Sequence, residues 1–384
     1  MIPYGKQSID QADIDAVLNV LQSDWLTQGP KVPAFEAGIA SYCKVKHGIA
    51  VNSATSALHI ACLALGVGEN DIVWTSPISF VASSNCALYC GAKIDFVDID
   101  LDTGNMSIKE LEQKLILAEK NNCLPKVVIP VHLAGQSCDM QAIHQLATKY
   151  DFKIIEDASH AIGAKYLDKP VGNCEFSDIC VFSFHPVKII TSAEGGMAVT
   201  NDDNLAKRLK RLRSHGITSD ESEMTDASHG PWYYQQIELG FNYRMTDLHA
   251  ALGLSQLSKV DEFVKQRHHL AKIYDTHLDL NLVRPLQQID TCYSAYHLYI
   301  IQLNNSNTTR HKNAVTQLRA AGIIGHVHYI PIHLQPYYQT LGFKVGDFPN
   351  AEKYYQGAIT LPLHPSLKEQ EVHFVLNTLQ QILN

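Results

Sequence analysis

The sequence lacks several features, and each absence excludes something. No run of about 18 consecutive apolar residues occurs, the length a helix needs to cross a bilayer, so no membrane-spanning helix is expected. No block of Lys and Arg stands out and the formal net charge is −8, so no nucleic-acid partner is expected. An acidic chain can still hold an anion in a local pocket, so net charge says little about small ligands. No Cys-x-x-Cys is present, and the nine cysteines are an odd, scattered set. No disulfide framework is expected, which implies a reducing compartment. The start, Met1-Ile2-Pro3-Tyr4-Gly5-Lys6, has no basic region followed by an apolar stretch, so no signal peptide is expected and the setting is cytoplasmic by elimination. There is no Gly-x-Gly-x-x-Gly or Walker loop, so dinucleotide and P-loop readings have no support. Neither repeats nor low-complexity tracts occur.

What is present is ample material for a core: 46% of 384 residues are hydrophobic and only 18% charged. Ile14, Val17, Leu18 and Leu21 fall at helical spacing within residues 10–22, and Leu26-Thr27-Gln28-Gly29-Pro30 then breaks the chain. From Gly48 on, short apolar runs alternate with amphipathic stretches. Candidate strands are Gly48–Val51, Asp71–Thr75, Lys93–Val97, Val127–His132, Lys153–Glu156, Ile179–Phe184 and Met197–Thr200. Helices are expected at Ile108–Glu119 and Met140–Tyr150, and the apolar run Val81–Leu88, with Cys86 and next to Cys90, reads as a buried helix. This alternation predicts an α/β fold with a mostly parallel sheet covered by helices. After Gly240 the texture changes. One or two long helices are expected over 246–280, strands at Ala295–Leu303 and Ile323–Tyr329, and helices at Lys312–Ala321 and Glu369–Leu383. Ser214–Gln236 is polar and aperiodic and reads as a loop.

Four features carry candidate chemistry, and each has a plain alternative. Asn52-Ser53-Ala54-Thr55-Ser56-Ala57-Leu58 follows a strand and opens a helix. It can offer backbone N–H groups and hydroxyls to a phosphate, or simply cap the helix. Ile154-Ile155-Glu156-Asp157-Ala158-Ser159-His160 ends a strand in an acidic pair. Ligands of open α/β sheets sit beyond such strand ends. There Asp157 can hold a heteroaromatic nitrogen protonated, ligate a metal, or cap a helix. Lys188 follows a buried strand among Val187, Ile189 and Ile190. It is either a surface lysine with a buried stem or an amine whose charge burial disfavours, as a Schiff-base lysine requires. Gly240-Phe241-Asn242-Tyr243-Arg244-Met245-Thr246-Asp247 precedes a helix. Its polar groups can cap that helix or reach an anion.

A phosphate cradle, a strand-end aspartate and a strand-end lysine, in that chain order, are what an aspartate-aminotransferase-type fold built on pyridoxal 5′-phosphate (PLP) requires. The sequence resembles the DegT/DnrJ/EryC1/StrS family of sugar aminotransferases along its full length. The resemblance is carried by Leu26-Thr27-Gln28-Gly29-Pro30, Asn52-Ser53-Ala54-Thr55, Glu156-Asp157-Ala158-Ser159-His160, Ser183-Phe184-His185 with Lys188, Ala193-Glu194-Gly195-Gly196 and Gly240-Phe241-Asn242-Tyr243-Arg244. Asn52 to Leu58, Ser76-Pro77-Ile78-Ser79-Phe80-Val81-Ala82 and His326-Val327-His328-Tyr329 are most similar to one subgroup. Its members aminate the 4-keto group of a UDP-linked 6-deoxyhexose on the way to pseudaminic acid.

The resemblance implies fold type I. A large domain over residues 1–255, with an N-terminal arm at 1–25 and a mostly parallel seven-stranded sheet, would precede a smaller α+β domain over 256–384. It implies that Lys188 holds PLP as a Schiff base and later serves as general acid/base. Asp157 would pair with the pyridine nitrogen, His160 would lie near the phenolic oxygen, and Phe80 would stack on the ring. Ser53, Ala54, Thr55 and Ser183 would cradle the phosphate, and Asn242 would reach it across a homodimer interface. Tyr4, Asp24, Trp25, Leu26, Thr27, His326, Val327, His328 and Tyr329 would meet a UDP-linked keto sugar. The implied reaction is ping-pong, with glutamate converting PLP to pyridoxamine phosphate (PMP) and the amine then passing to C4 of the sugar. Pro186-Val187 departs from the Ala-Ile common in relatives, which puts the local turn before Lys188 in question. His326, His328 and His333 suggest zinc, but no Cys or carboxylate nearby completes a site, so no metal is expected. Rival readings are bacillosamine-, perosamine- or 4-amino-arabinose-type keto sugars, a sugar dehydratase of the same fold, and a non-enzymatic regulator. Lys188 argues against the dehydratase, where His usually replaces it, and Lys188 with Asp157 against the regulator.

Overall fold

The computed structural model describes residues 1–384. Strands of three residues or more are numbered here in chain order. The first seven are β1 (His47–Val51), β2 (Ile72–Thr75), β3 (Lys93–Phe96), β4 (Val127–Ile129), β5 (Lys153–Asp157), β6 (Ile179–Ser183) and β7 (Gly196–Thr200). They form one seven-stranded sheet in the order β1-β7-β6-β5-β4-β2-β3. Only β7 runs antiparallel to its neighbours, with Gly196 opposite both Val51 and Ser183. The other pairs are parallel. All seven strands fall where the alternating pattern predicts them. The fold is that of the fold type I aminotransferases.

Both faces of the sheet are buried, as its parallel strands and covering helices require. Side chains alternate strictly between faces. Ile49, Val51, Val127, Ile129, Ile179 and Val181 enter one core with α3 (Ala54–Ala64) and α4 (Ala82–Tyr89). Ala50, Cys180, Phe182, Met197 and Val199 face the other side, with Phe35 of α2 (Lys31–Cys43). Val128 and Ile154 also point there, against α5 (Ile108–Lys120) and α6 (Met140–Tyr150). The helix α7 (Asp203–Leu212) joins the first core through Ala206, Leu209 and Leu212.

The stretch 246–280 forms two helices, α8 (Asp247–Leu257) and α9 (Val260–His277), parted at Ser258-Lys259. Val260 and Val264 of α9 lie in the core beside the sheet, whereas Leu270, Ala271 and Tyr274 lie in a separate C-terminal core. That second core holds a three-stranded antiparallel sheet, β8 (Val283–Pro285), β9 (Tyr299–Leu303) and β10 (Ala358–Leu361), with α10 (Thr308–Ala320) and, after two short helices α11 (Pro336–Thr340) and α12 (Pro349–Tyr355), α13 (Glu369–Leu383). Leu286, Leu298, Ile332, Tyr338, Phe348 and Tyr354 pack into the first core instead. The chain thus crosses back over the sheet before it ends.

Three expected strands are shorter than their apolar runs. Pro130, which has no N–H to donate, follows β4 at Ile129. Ala295–Leu298 turns before β9 begins at Tyr299. Of Ile323–Tyr329 only Ile323–Ile324 is strand, paired in parallel with Ile2–Pro3; beyond Gly325 one isolated bridge, His326 to Thr360, remains. The polar Ser214–Gln236 loop is closed at its base by pairing of Ile217–Thr218 with Gln235–Gln236.

The N-terminal arm is held at two points. Ile2 N donates to Gly322 O, and Leu363 N donates to Tyr4 O at 3.0 Å. Asp10 caps α1 (Gln11–Leu21), and buried Asp13 ties it to α8 and α9. Asp13 accepts from Ser255 Oγ at 2.6 Å and Gln256 Nε2 at 2.7 Å, and pairs with Lys259 Nζ at 2.9 Å. Replacing one partner of a buried charged network strands the others. We expect Asp13→Ala to lower stability by about 2–3 kcal/mol. The readouts are earlier thermal unfolding and faster proteolytic removal of α1.

Candidate active site

Six strands bring their site ends to one edge of the sheet. β1, β6, β5, β4 and β2 point their carboxyl ends there, and β7 starts there. A cavity of about 450 Å³ opens at this edge, within the range of small-ligand sites. Ser53, Ala54 and Thr55 reach it after β1, Ser79 and Phe80 after β2, Asp157 and His160 from β5, and Ser183 and Lys188 from β6. The small domain and the N-terminal arm close the far wall with His326, His328, Tyr329 and Tyr4.

Lys188 is half-buried at the cavity wall, and that burial pushes its pKa down to about 8 from the ordinary lysine value, while the Asp157 carboxylate partly opposes the shift. About a tenth of its amine is therefore free and nucleophilic at pH 7. Asp157 is buried and both its oxygens have partners: Ser83 Oγ donates to Oδ2 at 2.6 Å, and Ser159 N donates to Oδ1 at 3.1 Å. Its neighbour Glu156 points to the opposite face, as strand alternation demands, and meets His132 Nε2 at 2.7 Å. Of the acidic pair, only Asp157 faces the cavity.

Burial pushes the pKa of His160 far below the usual imidazole value, with the nearby Lys188 charge adding to it, so the ring is neutral. Its Nε2 lies 3.2 Å from Tyr329 Oη, and its Nδ1 is buried with no partner. His297 stands behind it at 4.4 Å between ring centroids and is held neutral by burial as well. His328 is lowered to about 3, again chiefly by burial, and accepts or donates to Thr360 Oγ1 at 2.8 Å. Tyr4, His326 and His328 form an aromatic cluster with centroids 4.6–5.2 Å apart. Although 326–328 is not a continuous strand, both histidines share one side.

The residues present fit a PLP-sized anion-bearing ring. Ser53 caps α3 by accepting from Ser56 N at 3.1 Å. The Ala54 and Thr55 amides, at the first turn, then have no acceptor within the helix and face the cavity. Gly196 lets the sheet approach this turn: a Cβ there would stand 2.5 Å from Ala54 N. Phe80 exposes 60% of its surface although large aromatic side chains are usually buried, and it lies on the cavity wall. Lys188 supplies the amine, and the unpartnered His160 Nδ1 leaves one further polar group to be satisfied.

Asp24, Trp25, Leu26, Thr27, Val327 and Asn242 do not line this chain's cavity. Trp25 and Leu26 are exposed, and Asn242 is exposed on a segment bridged to Ser214. Sequence reasoning passed over Ser83 and His297, and gave no role to His185 and Glu194 although both stand in the motifs that carry the resemblance. The i, i+4 spacing of the hydroxyls Ser79 and Ser83 was a usable signal; nothing local marked His297, 137 residues from His160.

Comparison with known proteins gives a consistent picture. A model of the "DegT/DnrJ/EryC1/StrS aminotransferase family" matches residues 7–380. The UDP-4-amino-4,6-dideoxy-N-acetyl-beta-L-altrosamine transaminase of Campylobacter jejuni is 40% identical over 384 residues, covering 100% of this chain and 98% of that protein. The structure of the putative sugar aminotransferase Spr1654 from Streptococcus pneumoniae, in its PMP form, superposes with a TM-score of 0.91 at 31% identity, over 100% of this chain and 99% of that one. Helicobacter pylori PseC, described as an aminotransferase involved in the biosynthesis of pseudoaminic acid, gives 0.90 at 33%, over 100% and 99%.

Lys188 also makes stability depend on pH. Its folded pKa is below the unfolded value, so between about pH 8 and 10.5 the unfolded chain holds a proton that the folded chain lacks. Stability contributed at this site therefore rises with pH across that window, by up to about 3 kcal/mol. Urea unfolding of the cofactor-free protein and of Lys188→Met at several pH values checks this: the advantage of the Met variant should shrink as pH rises.

Proposed function

This chain belongs to the DegT/DnrJ/EryC1/StrS aminotransferase family, and from that footing we propose that it transfers an amino group from glutamate to C4 of a UDP-linked 4-keto-6-deoxy-N-acetylhexosamine, the amination step on a route to pseudaminic acid. The observation that carries the reading is the half-buried Lys188 amine sharing a cavity with the buried Asp157 carboxylate at the strand ends. The choice of sugar rests on the full-length likeness to the Campylobacter transaminase.

When bound, PLP supplies the carbonyl and the protonated ring that carry an amino group between donor and acceptor. Lys188 is the amine that would hold it, and Nζ, once released, is the base that takes and returns a proton at the reacting carbon. Asp157 would keep the ring nitrogen protonated, Phe80 would cover one ring face, and neutral His160 would meet the phenolic oxygen. Ser53, Ala54, Thr55 and Ser183 would hold the phosphate. Tyr4, His326, His328 and Tyr329 form the wall nearest an incoming sugar; Asp24 to Thr27 and Val327 are proposed to meet its outer parts.

The protein is proposed to act as a homodimer in the cytoplasm, each copy donating Asn242 to its partner's phosphate site. Two observations support the second copy. Lys188, whose charge burial disfavours, is the only Lys or Arg among the cavity's lining residues, although the proposed ligands are anionic. Ile14, Leu18 and Leu21 also form an exposed apolar stripe on α1, continued by Trp25 and Leu26.

Incubation with glutamate and a panel of 4-keto nucleotide sugars, read by 2-oxoglutarate release and product NMR, tests the substrate. The UDP-linked N-acetyl sugar should be turned over at least about tenfold faster than GDP- or dTDP-linked ones; faster turnover of any of those overturns the assignment. Lys188→Ala should lose both turnover and the long-wavelength absorbance of the lysine-bound cofactor, and an active variant would refute the catalytic reading. In sedimentation, the wild type should run as a dimer. Asn242→Ala should stay dimeric with cofactor affinity about tenfold weaker.

A further inference from the structure

At the cavity wall two serines lie on either side of Phe80 in the chain, Ser79 before α4 and Ser83 in its first turn. Ser79 and Ser83 are both buried, with Ser83 fully so, whereas Phe80 between them is exposed to the cavity. Ser83 Oγ is 2.6 Å from Asp157 Oδ2, 2.7 Å from Ser79 Oγ and 3.3 Å from Phe80 O. A hydroxyl has one proton to give. A carboxylate has none, and its bond here is the shortest and the only charge-assisted one. The Ser83 proton therefore points at Asp157, and the Ser79 hydroxyl must donate to Ser83 rather than accept from it. The proton order along the chain of oxygens is fixed: Ser79 to Ser83 to Asp157.

This order has a mechanical result. Asp157 sits at the end of β5 and Phe80 at the start of α4, on separate elements. The Ser83 hydroxyl is the hydrogen-bonded link between them, since the Ser83 amide also donates to Phe80 O at 3.2 Å. We propose that Ser83, backed by Ser79, is a positioning residue that fixes the orientation of the Asp157 carboxylate and the lean of the Phe80 ring as one unit, so that both address a single planar heteroaromatic group. The inference rests on the reading above, in which Asp157 and Phe80 receive the cofactor's ring. It adds that their spacing is set by a buried hydroxyl pair.

The test uses cofactor-free full-length protein, titrated with PLP and followed by absorbance and by quenching of protein fluorescence. Thermal unfolding of each variant separates lost folding from lost positioning. Ser83→Ala should weaken PLP affinity by roughly ten- to hundredfold, the loss typical when a buried charged group loses its donor. It should also move the midpoint of the pH titration of the bound cofactor's absorbance by about one unit. Ser83→Thr, which keeps the hydroxyl, should restore both to near wild type. Ser79→Ala should shift both in the same direction by less, because the Ser83–Asp157 bond survives. Wild-type affinity and an unmoved titration in Ser83→Ala overturn the proposal. So does equal impairment of Ser83→Ala and Ser83→Thr, which would mean that space rather than the hydroxyl matters. If the wild type binds no PLP, the reading of the site fails as a whole. If it binds PLP and Ser83→Ala binds equally well, this inference alone fails.

Discussion

Sheet edge, C-terminal segment and N-terminal arm close jointly around the Lys188 amine, and the remaining features of the site follow from its partial burial. An ammonium loses favourable hydration on burial, so its neutral form gains ground. The same environment holds His160, His297 and His328 neutral. The Asp157 carboxylate faces this cluster and accepts hydrogen bonds from Ser83 and Ser159. The cavity therefore presents two acids, Asp157 and Glu194, one amine and the neutral imidazoles of His160 and His328. Such a set can move protons at a carbon without competing cations along its own walls.

The antiparallel β7 is the second organising device. It places the start of a strand, rather than the end of one, among five carboxyl ends. Gly196 there lies against the first turn of α3, where any side chain would collide with Ala54 N. Sheet and helix terminus are thereby pressed into one phosphate-sized corner. The amides of that turn are the ones no helix can satisfy internally.

Much of this was legible in the chain. The short apolar runs of the buried strands, the cap at Ser53 and the apolar setting of Lys188 are local signals. The large sheet, its edge and the residues lying just beyond its strand ends followed. What was not legible depended on distant segments. Ile323–Tyr329 looks like a strand by composition, but only its first two residues have a strand partner, Ile2–Pro3, and His326 adds a single bridge to Thr360. His297 has no local mark, because its meeting with His160 is made by the chain crossing back over the sheet. The split of α9 between two cores cannot be read from its periodicity, which is continuous. Ser83 was overlooked for another reason: a serine in a helix is ordinary until an acid is found beneath it.

The N-terminal arm has a consequence for how the protein is made. Tyr4 is made well ahead of its partners: its carbonyl is bound by Leu363 N, and the strand before it pairs with Ile323–Ile324. Those partners emerge more than 300 residues later. Contacts of such long sequence separation form late and slowly. The sheet can assemble during synthesis, but its cavity stays open on one side until the segment through Leu363 has been made. A chain truncated before residue 323 would carry Lys188 and Asp157 and still leave them in water.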